Sequence, residues 1–472
     1  MATAVSDHAL LIAGERVETG DWAEVRSPYS GEVVGRVAKG GAVEARRALD
    51  TAAAVLEEPL PAHERARILE TVARLLSERQ EDAARTISAE AGKPLKAARV
   101  EAQRAVSTFT FAAVEARRLT GETVPMDASS AGTGKLAFTL RVPIGIVGAI
   151  SPFNFPLNLV AHKIAPALAA GCPVVLKPAS ATPLSALFLA ELEEEAGLPP
   201  GWLNVVAGSA SEIGDVLVED ERVKLITFTG SGDVGWDIAR RAPRKRVKLE
   251  LGNATPAIVC SDAPAATASA LAANAFSFAG QSCISVQRIF VASEAWDDFV
   301  AEFLPKVRAL KVGDPADPDT DVGPLISEGD RDRVLDWVQS STGDVLTGGD
   351  ATDDGLIRPT VIADPAPDDK VQCEEVFGPV VTLTRTDSLD DAIERANSTR
   401  YGLQAAIFSR DIGTCLEAAR RLEFGGVLVN EAPTFRADQM PYGGVKASGN
   451  TKEGPAWAVR EMTEERLVVI QT

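Results

Sequence analysis

The chain has 472 residues, with 67 Asp and Glu against 48 Lys and Arg, for a formal net charge of −19. That balance argues against a nucleic-acid partner, whose phosphates attract clustered Lys and Arg. An apolar content of 45 % with no run approaching the ~18 apolar residues of a membrane span describes an ordinary globular chain with no membrane partner. The length predicts about three domains. The five cysteines (Cys172, Cys260, Cys283, Cys373, Cys415) are widely spaced and form no CxxC pair, and the only histidines are His8, His63 and His162. Neither a disulfide framework nor a metal site is expected from that pattern. Residues 1–17 lack the basic and apolar regions of a signal peptide, so a reducing cytoplasm is the expected location.

In chain order, residues 41–90 are rich in Ala, Arg, Glu and Leu and predict helix. Residues 123–142 fit a projecting hairpin, and 136–142 alternate large apolar residues with smaller or polar ones. Short apolar, β-branched runs at 144–150, 173–177, 203–207, 225–228 and 247–249 predict buried strands. Helical patterns lie between them at 158–170, 184–195 and 211–217. The alternation is that of a doubly wound parallel sheet. Within it the acidic run 191–195 reads as a solvated helix face. A second alternating set runs from 256 to 430 and predicts a second α/β domain. The run 466–470 predicts a strand that pairs with the hairpin or across a subunit boundary.

Four segments carry chemistry. After a helical pattern at 268–278 and before a strand pattern at 284–292 comes Gly280-Gln281-Ser282-Cys283, a small-residue turn that exposes a thiol and its own N–H. A lone cysteine is more often a buried packing residue. Here it is accompanied by Glu250, a carboxylate where a strand meets the Gly252-Asn253 turn and can serve as a base. It is also accompanied by Asn154, an amide donor in the rigid loop Ser151-Pro152-Phe153-Asn154-Phe155-Pro156. Glu374-Glu375-Val376-Phe377-Gly378-Pro379 completes the set. Thr229-Gly230-Ser231-Gly232-Asp233-Val234-Gly235 follows a strand and opens a helix, a place where backbone approaches a pyrophosphate. Lys177 ends a strand at the sheet edge where ligands bind.

At these segments, together with Lys177-Pro178-Ala179 and Pro441-Tyr442-Gly443-Gly444-Val445-Lys446, the chain resembles the aldehyde dehydrogenase superfamily from about Ser27 to its end. The resemblance implies two doubly wound α/β domains plus a projecting β-hairpin. It assigns 1–122 and 143–249 to dinucleotide binding, 250–440 to catalysis, and 123–142 with 441–472 to assembly as a homodimer or homotetramer. It implies NAD or NADP as cofactor, bound by Lys177, Ser180, Gly230, Ser231, Gly235, Glu375 and Phe377. A small-molecule aldehyde is oxidised to its acid, with Cys283 as nucleophile, Asn154 as oxyanion donor and Glu250 as hydrolytic base. The competing readings are a non-catalytic member of the fold, of the eye-lens type, and a thioesterase-like hydrolase.

The chain departs from the family at four places. Asn253 stands where a second glycine is usual, and Phe278 where asparagine is common. Ser180 replaces the glutamate of many NAD-dependent members. Ser282 stands where phosphate-handling relatives often carry arginine. The run Pro433-Thr434-Phe435-Arg436 is similar to that of dehydrogenases of lactaldehyde and phosphonoacetaldehyde. It makes Arg436, with His162 and Arg104, the expected contact to a short polar or anionic aldehyde.

Overall fold

Alternation of β-branched runs with amphipathic helices produces two open sheets in the computed structural model, which describes residues 6–472. Residues 1–5, counted in the first domain and in the N-terminal segment above, lie outside the described residues. In the first sheet the strands Arg246–Glu250, Val223–Thr229, Ile146–Ile150, Val174–Lys177 and Leu203–Val205 lie side by side in parallel. Leu10–Ile12 and Glu15–Val17 close the edge antiparallel. From Ile146–Ile150 the chain winds outward one way to Leu203–Val205. It then crosses back to add Val223–Thr229 on the other side. The crevice at the carboxyl ends of these two central strands is the topological switch point, where open α/β sheets bind ligands.

The second seven-stranded sheet runs Asp344–Thr347, Thr360–Ala363, Val380–Thr386, Arg288–Ala292, Pro256–Val259, Gln404–Phe408 and Gly426–Val429, with only the first strand antiparallel. Its five central strands are almost wholly buried, which suits their Val/Ile-rich composition. The first sheet is packed under the helices Ala62–Glu78, Leu95–Arg118 and Asn158–Ala170 in one core, and the second sheet has its own.

The chain's last strand, Thr463–Gln471, pairs antiparallel over its whole length with Lys135–Pro143 of the same chain. The hairpin–tail pairing is therefore intramolecular. Leu136, Leu140, Leu467, Val469 and Ile470 of this ribbon are exposed.

Three expectations are corrected. Glu193, within the acidic run, is fully buried with neither carboxylate oxygen hydrogen-bonded, and burial lifts it to about 8. The helix before Cys283 ends at Ala275, because Phe278 (φ 51°), Ala279 (φ 52°) and Gly280 (φ 72°) turn left-handed. The following strand starts only at Arg288, because the residues after Cys283 first close a turn, with the Ser285 N–H donating to the Ser282 carbonyl at 3.0 Å. Among the described residues no helix is long and apolar enough to cross a membrane.

Candidate active site

The loop that carries Asn154 leaves the first sheet at its switch point. Asn154 is buried, and its Nδ2 donates to the Gln281 carbonyl at 3.0 Å, directly beside the Cys283 turn. Its position is fixed from behind by a buried ion pair that sequence reasoning missed. Lys93 Nζ donates to the Asn154 carbonyl at 2.6 Å and pairs with Glu101. Glu101 in turn accepts from the Leu157 and Asn158 N–H groups at 3.0 and 3.1 Å, which caps the helix Asn158–Ala170. The rings of Phe155 and Phe278 flank the ammonium at 3.7 and 4.5 Å. Phe278 therefore has a use of its own here. It accepts a left-handed conformation, which asparagine tolerates more readily, and gains a face over Lys93.

Cys283 lies in the turn that follows. Its Sγ is 2.9 Å from the Tyr442 hydroxyl. Among the described residues its backbone N–H meets no acceptor, so that N–H is available to an oxyanion. Burial pushes the thiol up to about 12, against the Tyr442 hydrogen bond and the Arg436 charge, with Glu375 and Glu250 adding to the rise.

Glu250 ends the strand Arg246–Glu250, and neither of its carboxylate oxygens finds a partner. Burial and the nearby Glu453 charge raise it well above the usual carboxylate range. A carboxyl in that state is poised to take a proton at moderate pH instead of being permanently ionised. Glu375 is set by two clamps. Gln287 donates to the Glu374 carbonyl at 2.7 Å and accepts from the Val376 N–H at 3.0 Å, holding the backbone on both sides. The Asn253 N–H donates to Glu375 Oε1 at 2.9 Å, while the Asn253 side chain bonds Thr255 and the Gln404 carbonyl. A Cβ on Gly252 would stand 2.3 Å from Glu375 Oε2, so this carboxylate requires glycine there. Burial raises Glu375 to about 7. Phe377, at φ 49°, stacks edge-on against Phe153 with 5.8 Å between ring centres, tying this loop to the Asn154 loop.

Behind the thiol runs a chain of buried charges. Lys163 Nζ donates to Thr229 Oγ1 at 2.6 Å and lies 3.8 Å from Glu453 Oε1. Glu453 Oε2 accepts from Arg436 Nη2 at 2.8 Å, and the Arg436 guanidinium stacks 3.9 Å above the Tyr442 ring. Against its burial, Arg436 and Lys163 pull Glu453 down, so that it stays ionised while Glu250 does not. Lys163 had a signal in the sequence: it is a cation in a helix whose every residue is buried.

On the cofactor side, Lys177 ends its strand with Nζ 3.3 Å from Ser180 Oγ, and burial lowers it to about 8. Ser180 is exposed and donates to the Gly208 carbonyl at 3.1 Å. Gly230 and Ser231 form the turn into the helix Gly232–Arg241, and Ser231 is its N-cap. Gly235 lets that helix close on the strand end, since a Cβ would lie 2.5 Å from Leu251.

A cavity of about 290 Å³ opens beside the thiol, lined among others by Ser282, Ile284, Phe155, Phe278, Thr434 and Arg104. Of the three residues expected to touch substrate, only Arg104 lines it. Arg104 spends Nη2 and Nε on Asp438, at 2.9 and 3.4 Å. His162 and Arg436 are not on the cavity wall. His162 is buried against Asp438 at 2.9 Å and Thr108 at 3.3 Å, and burial keeps it neutral. Arg436 is held by Glu453 and Tyr442 as above. Both are engaged with neighbouring side chains, while His162 Nδ1 and Arg436 Nε find no partner among the described residues.

The aldehyde dehydrogenase family model matches residues 16–468. A 3-sulfolactaldehyde dehydrogenase of Priestia aryabhattai is 42 % identical over 471 residues, covering 99 % of each chain. Aldehyde dehydrogenase 21 of Physcomitrella patens, solved with its reaction product succinate, superposes with a TM-score of 0.96 at 39 % identity over 99 % of each chain. The glyceraldehyde-3-phosphate dehydrogenase GapN of Methanocaldococcus jannaschii, solved with NADP, superposes with a TM-score of 0.91 at 41 % identity over 95 % of this chain and 99 % of that one. The chain belongs to the aldehyde dehydrogenase family, enzymes that oxidise aldehydes.

Proposed function

We propose that this enzyme oxidises a small, anionic or hydroxylated aldehyde to its carboxylic acid, with NAD or NADP as hydride acceptor and Cys283 as nucleophile. The observation that carries it is the position of Cys283, hydrogen-bonded to Tyr442 and within the field of both Glu250 and Glu375, with its chain neighbours Ser282 and Ile284 lining the cavity. The thiolate attacks the carbonyl carbon and forms a thiohemiacetal. The Asn154 amide and the Cys283 N–H face the developing oxyanion, where each such donor contributes about 3–4 kcal/mol. When bound, the nicotinamide supplies the hydride acceptor. The thioester left on Cys283 is attacked by a water that Glu250 deprotonates, and sulfur departs as thiolate while the acid is released.

The residues present fit a dinucleotide. Lys177 is a buried ammonium at the sheet's carboxyl edge with one hydroxyl partner, a Cβ on Gly232 would meet open space at a helix N-terminus, and Gly252 leaves room only for the Glu375 carboxylate. Lys177, Ser180 and the Gly230–Gly235 turn would hold the adenosine and pyrophosphate end, and Glu375 and Phe377 the nicotinamide ribose. Ser180 neither repels a 2′-phosphate nor grips a ribose hydroxyl as glutamate does. The wild type is expected to use both cofactors, and Ser180→Glu to shift the NAD/NADP ratio of kcat/KM toward NAD. A wild type that rejects NADP would refute this assignment.

The division of the chain into a dinucleotide unit (1–122 and 143–249), a catalytic unit (250–440) and an assembly element (123–142 and 441–472) belongs to the same proposal, and the separate sheets support it. The exposed apolar side chains of the ribbon support assembly as a homodimer or homotetramer.

The substrate class is supported by Arg104 on the cavity wall and by relatives named for a sulfonated aldehyde and solved with a dicarboxylate product. A charge-assisted hydrogen bond from Arg104 is worth about 1.5–3 kcal/mol. Arg104→Gln is therefore expected to lose roughly 10- to 150-fold in kcat/KM for carboxylate- and sulfonate-bearing aldehydes while leaving hexanal unchanged. Equal losses on both, or a wild type that prefers hexanal, would remove the anionic substrate from the proposal.

A further inference from the structure

Tyr442 and Arg436 have no part in the chemistry above, yet the first is in contact with the reacting sulfur and the second stacks on the first. The Tyr442 hydroxyl is 2.9 Å from Cys283 Sγ. Tyr442 is 3 % exposed and packs with Ile284 and Leu403, so its ring has little freedom. Arg436 lies over the opposite functional end of this contact. Its guanidinium is 3.9 Å above the phenol ring, and its Nη2 is fixed by Glu453 at 2.8 Å. A cation on the ring face draws electron density from the phenol and makes its O–H a stronger donor.

We propose that Tyr442 is a catalytic residue whose hydroxyl donates to the Cys283 sulfur and holds the thiolate between turnovers, and that Arg436, clamped by Glu453 and stacked on the phenol, is the positioning residue that fixes this donor. This rests on Cys283 being the nucleophile. The direction of the bond follows from the neighbours. Burial and the adjacent thiol keep the Tyr442 hydroxyl protonated far above its ordinary range, so it donates once the thiol ionises. The charged and titratable groups that face the sulfur come from four segments: Tyr442, Arg436, Glu375 and Glu250. Tyr442 and Arg436 favour the thiolate, whereas the two carboxylates oppose it. Loss of the hydroxyl therefore removes one of two stabilising groups and leaves both opposing ones.

The test uses the full chain and follows the pH dependence of Cys283 alkylation by iodoacetamide, with the labelled site identified by mass spectrometry. Phenylalanine keeps the ring that packs on Ile284 and Leu403, so Tyr442→Phe preserves the fold, and a thermal melt checks that it does. The alkylation midpoint of Tyr442→Phe is expected about one pH unit above wild type, and its rate at neutral pH about tenfold lower. Arg436→Lys, which retains a cation for Glu453 but not the stacked plane, is expected to fall between the two. A Tyr442→Phe midpoint equal to wild type overturns the proposal, even if kcat falls, because a purely structural role would not move the thiol's titration. An Arg436→Lys midpoint equal to wild type overturns the part assigned to Arg436. The nucleophile assignment fails separately, through a Cys283→Ala variant that still oxidises aldehydes, because alkylation reports the sulfur whether or not it attacks substrate.

Discussion

Cys283→Ala is expected to abolish aldehyde oxidation, with a loss on the order of 10⁵–10⁶ in kcat, while alanine at Cys172, Cys260, Cys373 and Cys415 leaves the chemistry near wild type. Acidity in the resting protein does not single out Cys283. Burial raises it to about 12, and it raises Cys172 and Cys260 to about 11. The hydrogen-bond partners do distinguish them. Cys172, Cys373 and Cys415 donate to the backbone carbonyls of Met462, Asp368 and Ser409. A carbonyl can only accept, so each of these bonds requires a protonated thiol. Cys283 instead faces a hydroxyl, which can donate to a thiolate, and its neighbours Ser282 and Ile284 line a cavity. Alanine at the buried Cys172 or Cys415 removes a packed sulfur and is expected to cost about 1 kcal/mol of stability without touching turnover. Steady-state NAD(P)H formation by all five variants decides the matter. Normal turnover in Cys283→Ala would dismiss the nucleophile.

The groups legible in the sequence are those that sit where regular structure breaks. Asn154 and Cys283 stand in turns rich in Gly, Pro or Ser after an apolar run, and Glu250 is the last strand residue before such a turn; turns of this kind at sheet edges present side chains to ligands. The groups that were not legible act across long separations. Tyr442 reaches Cys283 over 159 residues, Gln287 holds the Glu375 loop from 87 residues away, and Lys93 reaches Asn154 across 61. No local pattern encodes such contacts. Propensity misled at 284–292, whose β-branched residues predict a longer strand than forms, because β-propensity reflects packing more than backbone preference. Apolar periodicity misled at 276–280 in the same way, since it carries no information on the three left-handed residues that aim the cysteine turn. Charge patterning misled at Glu193, whose acidic neighbours predict solvent while the residue itself faces the core. At Arg436 a motif resemblance suggests substrate contact; one guanidinium nitrogen pairs with Glu453 and the plane stacks on Tyr442, while Nε has no partner among the described residues.

Glu250→Gln is expected to leave the first half-reaction intact and to slow the second. A single turnover with saturating aldehyde should still give a burst of NAD(P)H close to one equivalent per active site. The steady state that follows should fall by about 10²–10⁴-fold, the usual contribution of a general base. The physical reason lies in the asymmetry of the buried carboxyl pair. Arg436 and Lys163 keep Glu453 ionised, and its charge, added to burial, keeps Glu250 protonated well above the ordinary carboxylate range. In wild type the deacylation rate should therefore rise with pH as Glu250 loses its proton, and fall as pH drops through that raised value, since only the carboxylate can accept a proton from water. Glutamine cannot ionise, so this limb of the pH profile should vanish in the variant. The acyl group should then accumulate on Cys283, where intact-mass analysis after a quench detects it as one added acyl unit. Because neither Glu250 oxygen is hydrogen-bonded in the wild type, the amide breaks no existing bond, and a general collapse of the site is not expected. Loss of the burst together with turnover would show instead that Glu250 acts before the thioester forms, as the base that ionises Cys283.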